Sequence, residues 1–104
     1  MEFLHQGDIL KIERIRHPVL VVSKDFFNTS GEIIGCPIVK DSSPGALHIW
    51  MSTEEKEGNI QGYIQCEKLA LLDLTVRGYR KMDHLPMAEM MNVSDAIQSI
   101  FDYI

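Results

Sequence analysis

The chain has 104 residues, 45% of them hydrophobic and 24% charged, which fits one globular domain over residues 1–104 with a single core and no second domain. No apolar run approaches the ~20 residues that span a bilayer, and the N-terminus has neither a basic stretch nor an apolar leader, so a cytoplasmic protein is expected. Lys and Arg number 10 against 15 Asp and Glu, a net charge of −5, which excludes a uniformly cationic polyanion binder and demands a local basic face for any nucleic-acid affinity.

Residues 8–15 alternate loosely between apolar and polar after the Gly7-Asp8 turn, and residues 18–22 form a compact apolar run. This predicts two strands joined by a short connection at 13–17. Residues 24–28 predict a helical turn, and Asn28-Thr29-Ser30-Gly31 a reversal. A third strand is expected over 32–40, where Pro37 suggests a sheet edge or a bulge. Residues 41–45 read as a loop, 47–52 alternate again, 53–59 read as a charged loop, and 60–69 as a strand leading into 71–74. Met90, Val93, Ile97, Ile100, Phe101 and Ile104 then fall three or four apart, one apolar stripe on a helix. Pro86 suits its first turn, where a missing amide hydrogen costs nothing.

Five to seven short strands and one packed helix make the expected class mainly β with α: a small, strongly bent SH3-like β-barrel with a C-terminal helix. Cys36 and Cys66 lie in strand-like stretches without metal-ligand spacing, so buried reduced thiols are expected, and neither a metal nor a cofactor is implied. Trp50, Phe26, Phe27 and Tyr63 could stack on bases, but a chain this short needs them in its core. His5, His48 and His84 share no ligand spacing and read as structural.

Several stretches resemble the MazF/PemK/Kid family of plasmid and chromosomal toxins. Gly7-Asp8-Ile9-Leu10, a short gap and His17-Pro18-Val19-Leu20-Val21-Val22, closed by a polar turn from Asp25 to Asn28, stand where that family reads Gly-Asp-Ile, a basic loop, Arg-Pro-Val-Leu-Val-Val and a polar turn. Cys36-Pro37-Ile38, Gly62-Tyr63-Ile64-Gln65-Cys66-Glu67, Leu72-Asp73-Leu74, Arg77-Gly78-Tyr79-Arg80 and His84-Leu85-Pro86 follow in the family's order. The resemblance implies the CcdB/Kid/MazF-like barrel and a homodimer. It further implies the toxin of a type II toxin–antitoxin pair, a metal-independent, sequence-specific endoribonuclease that cleaves single-stranded mRNA to a 2′,3′-cyclic phosphate. The implied partners are single-stranded RNA and a cognate acidic antitoxin.

Such cleavage needs a base for the ribose 2′-hydroxyl, an acid for the leaving 5′-oxygen and a cation for the phosphorane. Arg16, His17 and Glu67 are the candidate catalytic residues. Imidazole, ordinarily titrating near ~6.5, suits proton transfer at neutral pH, although a histidine in a turn also serves as plain surface. Arg14, Lys24, Lys40, Ser42, Ser43, Gln65, Arg77 and Arg80 are the candidate RNA contacts. The chain departs from the family at four positions. His17 rather than Arg precedes Pro18, Val39 stands where Thr or Ser is common, Gln65 replaces an Arg, and Ala70 replaces a cation. These departures keep open a catalytically drifted fold that binds RNA or protein, and a gyrase-directed relative.

Overall fold

Strand pairing is organised around one long central strand. The computed structural model describes residues 3–40, 43–55 and 58–101. In chain order the elements are β1 (Asp8–Ile12), β2 (Val19–Val21), α1 (Asp25–Asn28), β3 (Glu32–Val39), β4 (His48–Glu55), β5 (Gly58–Gln65), β6 (Ala70–Asp73), β7 (Tyr79–His84) and α2 (Met87–Ser99). The sheet runs β4-β5-β3-β2-β1-β7, with β6 also paired to β3. All its pairings are antiparallel.

Pro37 sits in the interior of this sheet, not at an edge. On one side β3 keeps to β2, with Val19 opposite Pro37. On the other side it changes partner, from β6 over Glu32 to Gly35 to β5 at Ile38 and Val39. Ile38 donates its amide to the Pro18 carbonyl at 2.8 Å, so even-numbered amides here face β2 and the nitrogen of Pro37 faces the partner change. A residue without an amide hydrogen is tolerated there because the ladder is already interrupted.

The compact apolar runs of β1 and β2 arise because both strands bury two faces. Ile9 and Leu20 enter one core cluster with Cys36, Ile38, Met51, Ile60, Ile64, Cys66, Leu85, Met90 and Val93. Leu10, Ile12, Val19 and Val21 enter the other with Leu4, Ile33 and Leu74. The helical stripe is partly as expected. Met90 and Val93 are buried and Ile97 packs against the first cluster, but Ile100 and Phe101 are exposed. Ile104 lies outside the described residues.

Three further expectations change. The charged loop at 53–59 narrows to a hairpin, since β4 runs to Glu55 and β5 starts at Gly58. A strand, β7, occupies 79–84, where the sequence suggested only a turn before the helix. Its mostly polar sequence reflects a place at the sheet edge beside β1. Trp50 and Phe26 lie outside the core, 50% and 78% exposed. Both cysteines are free and buried; burial pushes the Cys36 thiol up to about 12 and the Cys66 thiol up to about 11.

Candidate nucleic-acid interface

One end of the sheet gathers the basic residues. Glu13 donates its amide to the Gly78 carbonyl at 2.8 Å, and Lys11 lies opposite Arg80 and Ile12 opposite Tyr79 across β1 and β7. The 13–17 connection and the turn at Arg77 and Gly78 are therefore neighbours. Exposed Arg14, Arg16, Arg77 and Arg80 all belong to these adjoining segments. Pro18 continues the β2–β3 register through its bond from Ile38, so the Arg16-His17 bend lies beside the Val39-Lys40 end of β3. Lys40 is exposed there.

The connection is held in shape by its own residues. Lys11 Nζ donates to the carbonyls of Ile15 (2.9 Å) and Arg16 (3.2 Å), and the Ile15 amide to the Ile12 carbonyl at 3.1 Å. Arg14 takes a left-handed backbone with φ 67°, a conformation that costs a side-chain-bearing residue about 1–2 kcal/mol. Backbone strain of this kind collects at functional loops.

Lys24 does not join the basic end. It precedes α1 beyond the far end of β2, because β2 carries the chain away from Arg16. Ser42 lies outside the described residues. Ser43 enters through its backbone, as described next. Gln65 is 7% exposed and lies opposite His48 in the β4–β5 register.

Strand order also separates Glu67 from Arg16 and His17. Glu67 follows β5, and β3 stands between β5 and β2, so two strand spacings, ~10 Å, intervene. Glu67 faces His48 instead: His48 Nε2 lies 2.6 Å from Glu67 Oε1, and His48 Nδ1 lies 3.0 Å from the Ser43 carbonyl oxygen. With Glu67 ionised, both partners accept, and the ring then satisfies both as the doubly protonated imidazolium. The Glu67 and Ser43 hydrogen bonds accordingly hold His48 above its ordinary value of 6.5. Partial burial pushes the Glu67 carboxyl up, but the His48 and backbone hydrogen bonds, with the charges of His48 and Lys68, outweigh it and leave the group below its ordinary range. The sequence treated His48 as structural; the one available signal was the polar face His48, Trp50, Ser52 in an alternating strand.

Among the described residues no three His, Cys, Asp or Glu side chains form a group that could hold a metal ion. No helix among them is long and apolar enough to cross a membrane.

Residues 6–101 match the family described as PemK-like, MazF-like toxin of type II toxin–antitoxin system. No curated protein sequence matches the chain. Solved structures share its fold at low identity. MazF in a MazE–MazF crystal of Deinococcus radiodurans is 16% identical, with 100% of each chain covered and a TM-score of 0.85. MazF of the same organism alone is 15% identical over 97% of this chain and 98% of that one, with a TM-score of 0.83. An endoribonuclease from a Mycobacterial species is 15% identical over 97% of this chain and 93% of that one, with a TM-score of 0.79.

Proposed function

Because the chain belongs to the PemK-like, MazF-like toxin family of type II toxin–antitoxin systems, we propose that it is a metal-independent endoribonuclease acting on single-stranded RNA at the Arg16-His17 bend. The observation that carries this reading is the basic end of the sheet. On a molecule of net charge −5, the fold sets Arg77 and Arg80 beside the connection bearing Arg14 and Arg16, with Lys40 at the adjoining end of β3. Such clustering supplies the phosphate contacts that overall composition does not.

In this site Arg16 offsets the negative charge of the scissile phosphate, and Lys40 is the second cation at the same end. A guanidinium stays charged at any working pH and presents a planar fork to phosphate oxygens. His17, partly buried beside it, takes the proton of the ribose 2′-hydroxyl as that oxygen attacks phosphorus; the bond from phosphorus to the 5′-oxygen breaks, the leaving oxygen takes its proton from water, and a 2′,3′-cyclic phosphate remains. Glu67, bound to His48, positions that ring and takes no part at the phosphate.

The same basic face receives the acidic tail of a cognate antitoxin, and two copies of the chain pair. The Deinococcus radiodurans relative was crystallised as MazE–MazF, and exposed Phe3, Leu71, Val76 and Met91 are apolar surface that association would cover. The binding-module reading is supported by the four departures at His17, Val39, Gln65 and Ala70. Incubation with single-stranded RNA in excess chelator separates the two. Fragments ending in a cyclic phosphate support the nuclease, and bound but intact RNA supports the module.

A further inference from the structure

Beside the basic end, the outer face of the β4–β5 hairpin carries three rings in a row. Trp50 lies directly opposite Tyr63, their ring centroids 5.1 Å apart and tilted edge to face at 70°. His48, two residues before Trp50 on β4, has its ring centroid 6.5 Å from that of Tyr63 and is pinned through both nitrogens by Glu67 and Ser43. Neither Trp50 nor Tyr63 belongs to either core cluster or packs against one. Trp50 is thus half exposed and available for contact with a ligand.

The row continues to the basic end. Val39 of β3 is opposite Tyr63, and a Cβ on Gly62 would stand 3.0 Å from the Val39 carbonyl carbon and 3.1 Å from the Lys40 nitrogen. Only a glycine lets β5 approach that backbone so closely. Tyr63 and Trp50 are thereby set one and two strands from Val39, whose neighbour Lys40 belongs to the basic cluster. A strand spacing is ~4.8 Å, so the shelf begins within one nucleotide's reach of the basic end.

We propose that Trp50 and Tyr63 form a stacking subsite for an unpaired base of the single-stranded RNA, next to the base at the cleaved phosphate. The inference rests on the ribonuclease reading and adds a specificity-determining surface to it. A base must be unstacked to present its face to an aromatic ring, so the shelf selects single-stranded over double-stranded RNA. The His48-Glu67 pair fixes the third ring, at the end of the shelf away from Lys40, and keeps the shelf pre-formed.

Trp50 is the only tryptophan in the chain, so its fluorescence reports on this shelf alone. The probe is an end-labelled, 2′-O-methylated single-stranded oligonucleotide, which binds without being cut. Quenching of Trp50 should saturate together with the anisotropy of the label, and the duplex form should not quench. Trp50→Ala should weaken binding about 10-fold or more, Trp50→Phe should restore most of it, and both variants should melt close to wild type. RNA that binds and is cleaved with Trp50 silent and Trp50→Ala at wild-type affinity overturns the subsite and leaves the nuclease intact. Loss of binding to an acidic peptide in Trp50→Ala, with RNA binding unchanged, makes the shelf a protein site and also overturns it. Wild-type protein that neither binds nor cuts RNA overturns the ribonuclease reading and the subsite together.

Discussion

His48 and Glu67 are joined at 2.6 Å from opposite sides of the β4–β5 pair, and the bond is made by the charged form of each. The folded state holds His48 above its ordinary value, so its contribution to stability is complete below pH ~6.5 and is lost as pH rises through the raised folded value. The folded state holds Glu67 below its ordinary value, so its contribution is complete above the usual carboxylate range and is lost as pH falls through the depressed folded value. The pair therefore favours the fold between those limits. Glu67→Gln should lower the His48 titration midpoint observed by NMR and flatten the stability profile on the acid side of neutral. A His48 midpoint unmoved by Glu67→Gln would mean that the bond is absent in solution.

Asp8 should matter more to folding than any other carboxylate described. It is fully buried, and its oxygens receive Lys81 Nζ at 3.1 Å, His84 Nδ1 at 2.7 Å and the His5 amide at 2.8 Å. These bonds tie β1 to β7 and to the N-terminal segment. Asp8→Ala removes all three and should cost about 2–3 kcal/mol in chemical denaturation, whereas Asp8→Asn keeps an acceptor and should cost less. Equal losses from the two would show that the charge is not what holds the site.

These two sites differ in how readable they were. The Gly7-Asp8 turn, the β1 and β2 runs and the Met90-Val93-Ile97 stripe could be read along the chain because burial imposes a local period. The meeting of His48 with Glu67, and of the 13–17 connection with Arg77 and Arg80, depends on which strands become neighbours, and no local pattern encodes that. Lys24 and Arg16 are close in sequence, yet the length of β2 separates them. Strand β7 has no clear sequence signal because an edge strand with polar faces lacks the apolar alternation that betrays a half-buried one. Residue type alone would put Trp50 in the core, whereas it lies opposite Tyr63 and is half exposed.

Arg14 separates backbone strain from charge. At φ 67° glycine carries no Cβ penalty, so Arg14→Gly should be more stable than Arg14→Ala by about 1 kcal/mol. Both should weaken RNA binding, since both remove the guanidinium. An Arg14→Ala protein as stable as Arg14→Gly would show that the connection relaxes in solution.

Charge reversal at Arg16 should weaken RNA and the acidic antitoxin together, because one basic face serves both. Titrations of each partner against Arg16→Glu measure this, and loss of only one would mean separate sites. Light scattering at micromolar concentration should meanwhile give twice the chain mass, and a clean monomer would contradict the proposed pairing.

The chemistry is proposed to lie at the Arg16-His17 bend. The most direct measurement is the rate of single-stranded RNA cleavage in excess chelator by the wild type, Arg16→Ala, His17→Ala and Glu67→Gln. Expected are a cyclic-phosphate product, losses of ~100-fold or more for Arg16→Ala and His17→Ala, and a far smaller loss for Glu67→Gln, which sits two strands away. Cleavage that survives His17→Ala and Arg16→Ala unchanged, or a wild type that cuts no RNA, would contradict this proposal.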